Sequence, residues 1–98
     1  MNYDSGYTLK VKKLSVQTSS VPGAVASIPH GLDASDFIRV TGALYFTPSQ
    51  GINPGYTDLD GYLYYVEWTP THLEVITIAD SSASILNKRC EITIFYKD

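Results

Sequence analysis

Cysteine is almost missing from this 98-residue chain: Cys90 stands alone, so no internal disulfide can staple the fold. Charge is scarce as well. Asp, Glu, Lys and Arg make up 17% of the residues, against a usual ~25%. The net charge is −3, and the one basic cluster is Lys10, Lys12 and Lys13. Three lysines without arginines or interleaved aromatics make a poor track for phosphates, so nucleic-acid binding is not expected. They read instead as a solvated strand edge. No apolar run approaches the ~20 residues of a membrane-spanning helix, which argues against membrane insertion. The opening MNYDSGYTLK lacks a basic stretch followed by an apolar one, the pattern of a secretory leader. Synthesis in a cytoplasm is therefore expected.

Signals of chemistry are equally thin. No serine sits in a Gly-x-Ser-x-Gly elbow, and nothing fixes a nucleophile beside a base. Cys90 lies in phase with Ile92, Ile94 and Tyr96, which reads as a small buried hydrophobe and not as an activated thiol. There is no Cys-x-x-Cys, no His-x-His and no His-Glu-x-x-His. His30 reads as a hydrogen-bonding strand-end residue, although a three-fold assembly could gather one such histidine per chain into a metal site. Asp58 and Asp60 faintly suggest a calcium loop, but no glutamate closes it at the required distance, so they read as turn residues. Gly51, Gly55 and Gly61 form no phosphate cradle. Neither catalysis nor a cofactor is expected.

What the chain does have is alternation. Apolar residues recur with a period of two and nowhere with a helical period. Strands are expected over residues 7–16, 24–28, 37–46, 61–69, 71–79 and 89–97. In the first, Leu9 and Val11 share a face. The Lys12-Lys13 pair then shifts the phase to Leu14 and Val16, which predicts a bulge. Residues 33–36 can form one capped turn. In the third, Ile38, Val40, Leu44 and Phe46 share a face, and Gly42 marks a bulge or a close backbone approach. Residues 47–60 read as the longest loop and 80–87 as a second. Pro70 separates residues 61–69 from 71–79 as a hairpin. In the last strand Cys90, Ile92, Ile94 and Tyr96 point inward. Short strands joined by turns predict one all-β domain across residues 1–98, an antiparallel jelly-roll-like sandwich of about six to eight strands.

Eight tyrosines and one tryptophan are the second positive signal. Tyr56, Tyr62, Tyr64, Tyr65 and Trp68 crowd one loop and the strand after it. Sugars stack their C–H faces on such rings, so Tyr56, Tyr62, Tyr64 and Trp68 are the candidate ligand-binding residues. The competing structural reading places these rings in the core or in a subunit interface, and the ordinariness of aromatic strands there favours it.

One stretch is more specific. Val25-Ala-Ser-Ile-Pro-His30-Gly31-Leu32, followed by Phe37-Ile38-Arg39-Val40-Thr41-Gly42, resembles a pattern of bacteriophage tail and fibre proteins. There a strand ends in His-Gly-Leu or His-Gly-Ile, a turn follows, and the next strand reads Ile-x-Val-x-Gly. The closing strand Ile92-Thr-Ile-Phe-Tyr96-Lys97-Asp98 is similar to the Tyr-Thr-Lys ending of those domains. The resemblance spans roughly residues 24–98. It implies a compact β-sandwich that forms a homotrimer on a virion and bears on assembly or host attachment. Its partners would be other virion proteins and a host-surface glycan or protein. Such domains usually follow a shaft. None precedes this one, so the expectation is an excised domain or a short protein docked on a larger particle. A virion location fits cytoplasmic synthesis, since virions assemble inside the host. The alternative is a stand-alone carbohydrate-binding module.

Overall fold

A computed structural model describes residues 9–97. Its strands are β1 (Leu9–Gln17), β2 (Val25–Pro29), β3 (Phe37–Thr47), β4 (Gln50–Ile52), β5 (Tyr64–Trp68), β6 (His72–Thr77) and β7 (Arg89–Lys97). They form two antiparallel sheets. The front sheet has the order β1-β7-β3-β4, and the back sheet has the order β2-β6-β5. The chain crosses between sheets after β1, β2, β4 and β6. The β1–β2 segment therefore doubles back along β7–β6, the jelly-roll-like winding that the strand pattern predicts. No helix among the described residues is long and apolar enough to cross a membrane.

The period-two pattern places the core. Cys90, Ile92 and Ile94 of β7 face Leu73 and Val75 of β6 across the sandwich, and all are fully buried. Val16, Leu44, Tyr64 and Ile85 complete that core among the described residues. Each residue removed from water here contributes roughly 1.5–3 kcal/mol, which is the driving force a chain without disulfides depends on.

Register corrects several details. Pairing of β1 with β7 runs unbroken from Leu9↔Lys97 to Gln17↔Arg89, so no slip occurs at Lys12-Lys13. The regular alternation turns Lys12, Leu14 and Val16 toward the interior and leaves Leu9 and Val11 exposed. Lys12 tolerates this position because its Nζ donates to the His30 carbonyl at 2.6 Å. Tyr7 and Thr8, expected to begin this strand, lie outside the described residues. In β3 the irregularity falls between Phe37 and Arg39, not at Gly42. That extra residue leaves Ile38 49% exposed and out of phase with Val40 and Leu44. Gly42 is instead a close approach: a Cβ there would meet Val66 Cγ2 at 3.2 Å and Pro54 Cγ at 3.5 Å.

Residues 47–60 are not all loop, because β4 pairs back on β3 through Leu44↔Ile52 and Tyr45↔Gly51. β5 and β6 form the expected hairpin in regular register, from Tyr64↔Thr77 to Trp68↔Leu73. β6 alternates regularly: Leu73, Val75 and Thr77 face in, while His72, Glu74 and Ile76 face out. The capped turn is a 3₁₀ turn, Ala34–Asp36, with the Asp33 carboxylate accepting from Ser35 N–H.

Candidate binding surfaces

The four candidate aromatic residues do not share one surface. Tyr64 is fully buried at the start of β5, and its hydroxyl donates to the Ile52 carbonyl at 2.7 Å. It is a core residue that ties β5 to β4, and no ligand reaches its ring. Tyr62 is half-buried against Phe46, with ring centroids 5.3 Å apart, and Tyr56 leans edge-on against Tyr62 at 6.4 Å. These three rings close one end of the sandwich. Trp68 ends β5 four residues beyond Tyr64, about 13 Å away at ~3.3 Å per residue. It is 45% exposed and tilts over Phe37 at 5.9 Å. Sequence proximity made one patch of two.

Phe37 leads from Trp68 to His30, whose ring meets it edge-on at 5.0 Å. His30 is fully buried. Its Nδ1 accepts from Leu32 N–H at 3.1 Å and its Nε2 contacts the Thr69 carbonyl at 3.0 Å. An acceptor at Nδ1 and a donor at Nε2 define one tautomer. Both ring nitrogens are thereby engaged within the chain, which removes His30 from service as a shared metal ligand. Gly31 follows with a φ of +69°, a conformation that glycine adopts without strain. The His-Gly pair is a structural joint between β2 and the β5–β6 turn. Among the described residues no three His, Cys, Asp or Glu side chains gather as metal ligands. Asp60 instead shares a concavity of about 310 Å³ with Asp80, Ser81 and Ser84. Ser82 also lines it, and its buried Oγ has no hydrogen-bond partner among the described residues.

Cys90 is the buried hydrophobe expected. Burial, followed by the charge of Glu91, pushes its thiol up to about 12 from 9.0. Burial likewise holds the Tyr64 hydroxyl well above its usual range, with Cys90 adding to the effect. Both groups stay protonated in the fold while the unfolded chain releases their protons from about pH 9 upward. A raised folded pKa stabilises fully below the unfolded value and is lost as pH climbs through the window above it. Stability is therefore expected to be level below about pH 9 and to fall above it. Thermal melts from neutral pH to pH 11 check this. Cys90→Ala should soften the decline, and an unchanged slope in that variant would contradict the assignment.

The outer faces carry what the core does not. On the front sheet a trough of about 450 Å³ is lined by Lys13, Thr41, Tyr45, Asn53, Glu91 and Thr93, among others. Lys13, Thr93 and Thr41 lie in one row across β1, β7 and β3. Beside it, Arg89 stacks over Tyr45 with its guanidinium carbon 4.4 Å from the ring centroid, and its Nε lies 3.4 Å from Glu91. Ser15 also donates to Glu91, at 2.8 Å. Past Asn53 a second hollow, about 290 Å³, reaches Tyr56. Short hydroxyls, an amide, one acid, one amine and an aromatic rim provide donors and acceptors at several heights. No signal in the linear sequence gathers these residues, because they come from three strands and a loop. No protein-family model, curated protein or solved structure matches the chain.

Proposed function

We propose that this β-sandwich works by its surfaces and not by catalysis, as a structural protein of a bacteriophage virion that forms a homotrimer and serves assembly or host attachment. One observation carries the reading. Leu9 (57%), Val11 (49%), Val25 (50%), Ile38 (49%) and Tyr65 (43%) stand exposed on the two sheets, around an interior that is already filled. So many exposed apolar side chains on a small domain mark contact surfaces, and neighbouring copies would cover them. The His-Gly joint and the alternating last strand carry the resemblance to tail and fibre domains. Other virion proteins, and a host-surface glycan or protein, are the further partners this reading implies.

The test is mass in solution by light scattering or sedimentation. A particle of three chain masses at micromolar concentration is the expected result, and a monomer that persists at high concentration would end the homotrimer reading. A second reading, a stand-alone carbohydrate-binding module, is favoured by the front-sheet trough with its hydroxyls and its Tyr45 and Tyr56 rim. A monomer that binds glycans would decide for it.

A further inference from the structure

The back sheet holds two glutamates where its own stability would place none. Glu67 of β5 and Glu74 of β6 are direct cross-strand partners on the outer face. Like charges so placed repel and destabilise the pair. Neither has an ion-pair partner among the described residues. Ser27 of β2 completes their row, and the adjacent row is Val25, Ile76 and Tyr65. The face therefore reads as one apolar row beside one acidic row.

The outer face of the front sheet carries the opposite arrangement. Val11, Phe95 and Arg39 form one row across β1, β7 and β3, with the Arg39 guanidinium 4.8 Å from the Phe95 centroid. Lys13 stands in the next row, and Ile38 is exposed beside Arg39. Glu91, the acid of this face, is paired with Arg89, which leaves the positive charge of Lys13 and Arg39 uncompensated there. Here the apolar pair Val11 and Phe95 lies among cations, with Arg39 ending its row and Lys13 standing in the next.

We infer that the partner for each of these faces is a second copy of this chain, packed front sheet to back sheet. In that contact Lys13 and Arg39 of one copy oppose Glu67 and Glu74 of the next, while Val11, Phe95 and Ile38 cover Val25, Ile76 and Tyr65. Two different faces make a head-to-tail contact, which closes into a ring where the rotation between copies returns to its start and runs on as a filament where it does not. Closure at three rests on the homotrimer reading above. The contact explains why both glutamates are tolerated: a neighbour's cations relieve a repulsion that the lone protomer bears.

Charge reversal tests the pairing. Glu67→Lys with Glu74→Lys, and separately Lys13→Glu with Arg39→Glu, each place like charges across the contact and should raise the dissociation constant roughly a hundredfold. The fourfold variant carrying all these changes reverses both faces together and should assemble again. Glu67→Gln with Glu74→Gln is the mild control: it should weaken assembly about tenfold, yet raise the melting temperature of the diluted protomer, because it removes the internal repulsion. Circular dichroism checks that each variant is folded. A wild-type trimer whose mass is unmoved by either reversal overturns the face pairing and leaves the trimer reading intact. A folded fourfold variant that stays monomeric overturns the pairing as well. A monomeric wild-type protein removes both.

Discussion

Tyr64→Ala is expected to lose about 4 kcal/mol of stability, the usual cost of cutting a large buried ring to a methyl group. For a domain whose whole margin is about 5–15 kcal/mol, that shift brings a large unfolded fraction within reach of mild denaturant. Two losses combine in it. The ring leaves a cavity between the sheets, where Tyr64 is fully buried opposite Thr77. The Ile52 carbonyl loses its donor, so β4 loses an anchor to β5. Tyr64→Phe isolates that second loss and should cost only about 1–2 kcal/mol, because the ring remains and one carbonyl goes unpaired. Trp68→Ala, at a half-exposed position, should cost about 1 kcal/mol and leave the fold intact. Urea denaturation of the three variants checks the order. A Tyr64→Ala protein as stable as the wild type would mean that the ring is not a core element.

His30→Ala is the second large effect, about 3–4 kcal/mol. Its imidazole satisfies the Leu32 amide and the Thr69 carbonyl at once, and its edge packs on Phe37. Truncation leaves both backbone groups unpaired where water has little access, and each costs about 1–3 kcal/mol. The backbone at the same point accepts from Lys12 and donates to Thr71, so the joint links β1, β2 and the β5–β6 turn. Loss should therefore appear as local opening at this corner before global unfolding. Hydrogen exchange at Leu32 and at position 30, whose amide donates to the Thr71 carbonyl, reads it directly: both amides should exchange much faster in the variant. A variant that melts within a degree or two of the wild type, with those amides still protected, would refute the role.

Much of the architecture was legible because alternation survives wherever a strand has one wet face. The last strand is the clearest case: Cys90, Ile92, Ile94 and Tyr96 were read inward, and the first three are fully buried there. The β5–β6 hairpin followed from Pro70 between two apolar runs. The failures have local causes. β4 is three residues with a single apolar side chain, Ile52, too short for any period to show. Ile38 carries a core residue's identity but lies at an irregularity, where the backbone overrides composition. Lys12 broke the pattern of β1 in the text and not in space, because its amine found the His30 carbonyl.

The candidate site was less legible. Tyr62, Tyr64 and Trp68 are near one another in sequence, yet burial took one, the end of the sandwich took another, and the far end of β5 took the third. The charged faces could not be read at all. Single charges spaced two apart on several strands become a face only when register brings Glu67 beside Glu74 and Arg39 beside Phe95.

The place of β7 has a consequence for biogenesis. This strand lies between β1 and β3 and supplies the centre of the front sheet. It is also the last of the seven to leave the ribosome. Until it arrives, β1 and β3 each lack their main neighbour and expose raw edges that other nascent chains can join. Closing the sheet then brings Leu9 beside Lys97, across nearly the whole described chain. That long-range closure makes maturation slow, in the millisecond-to-second range, and makes the interval before it the period of greatest risk of aggregation.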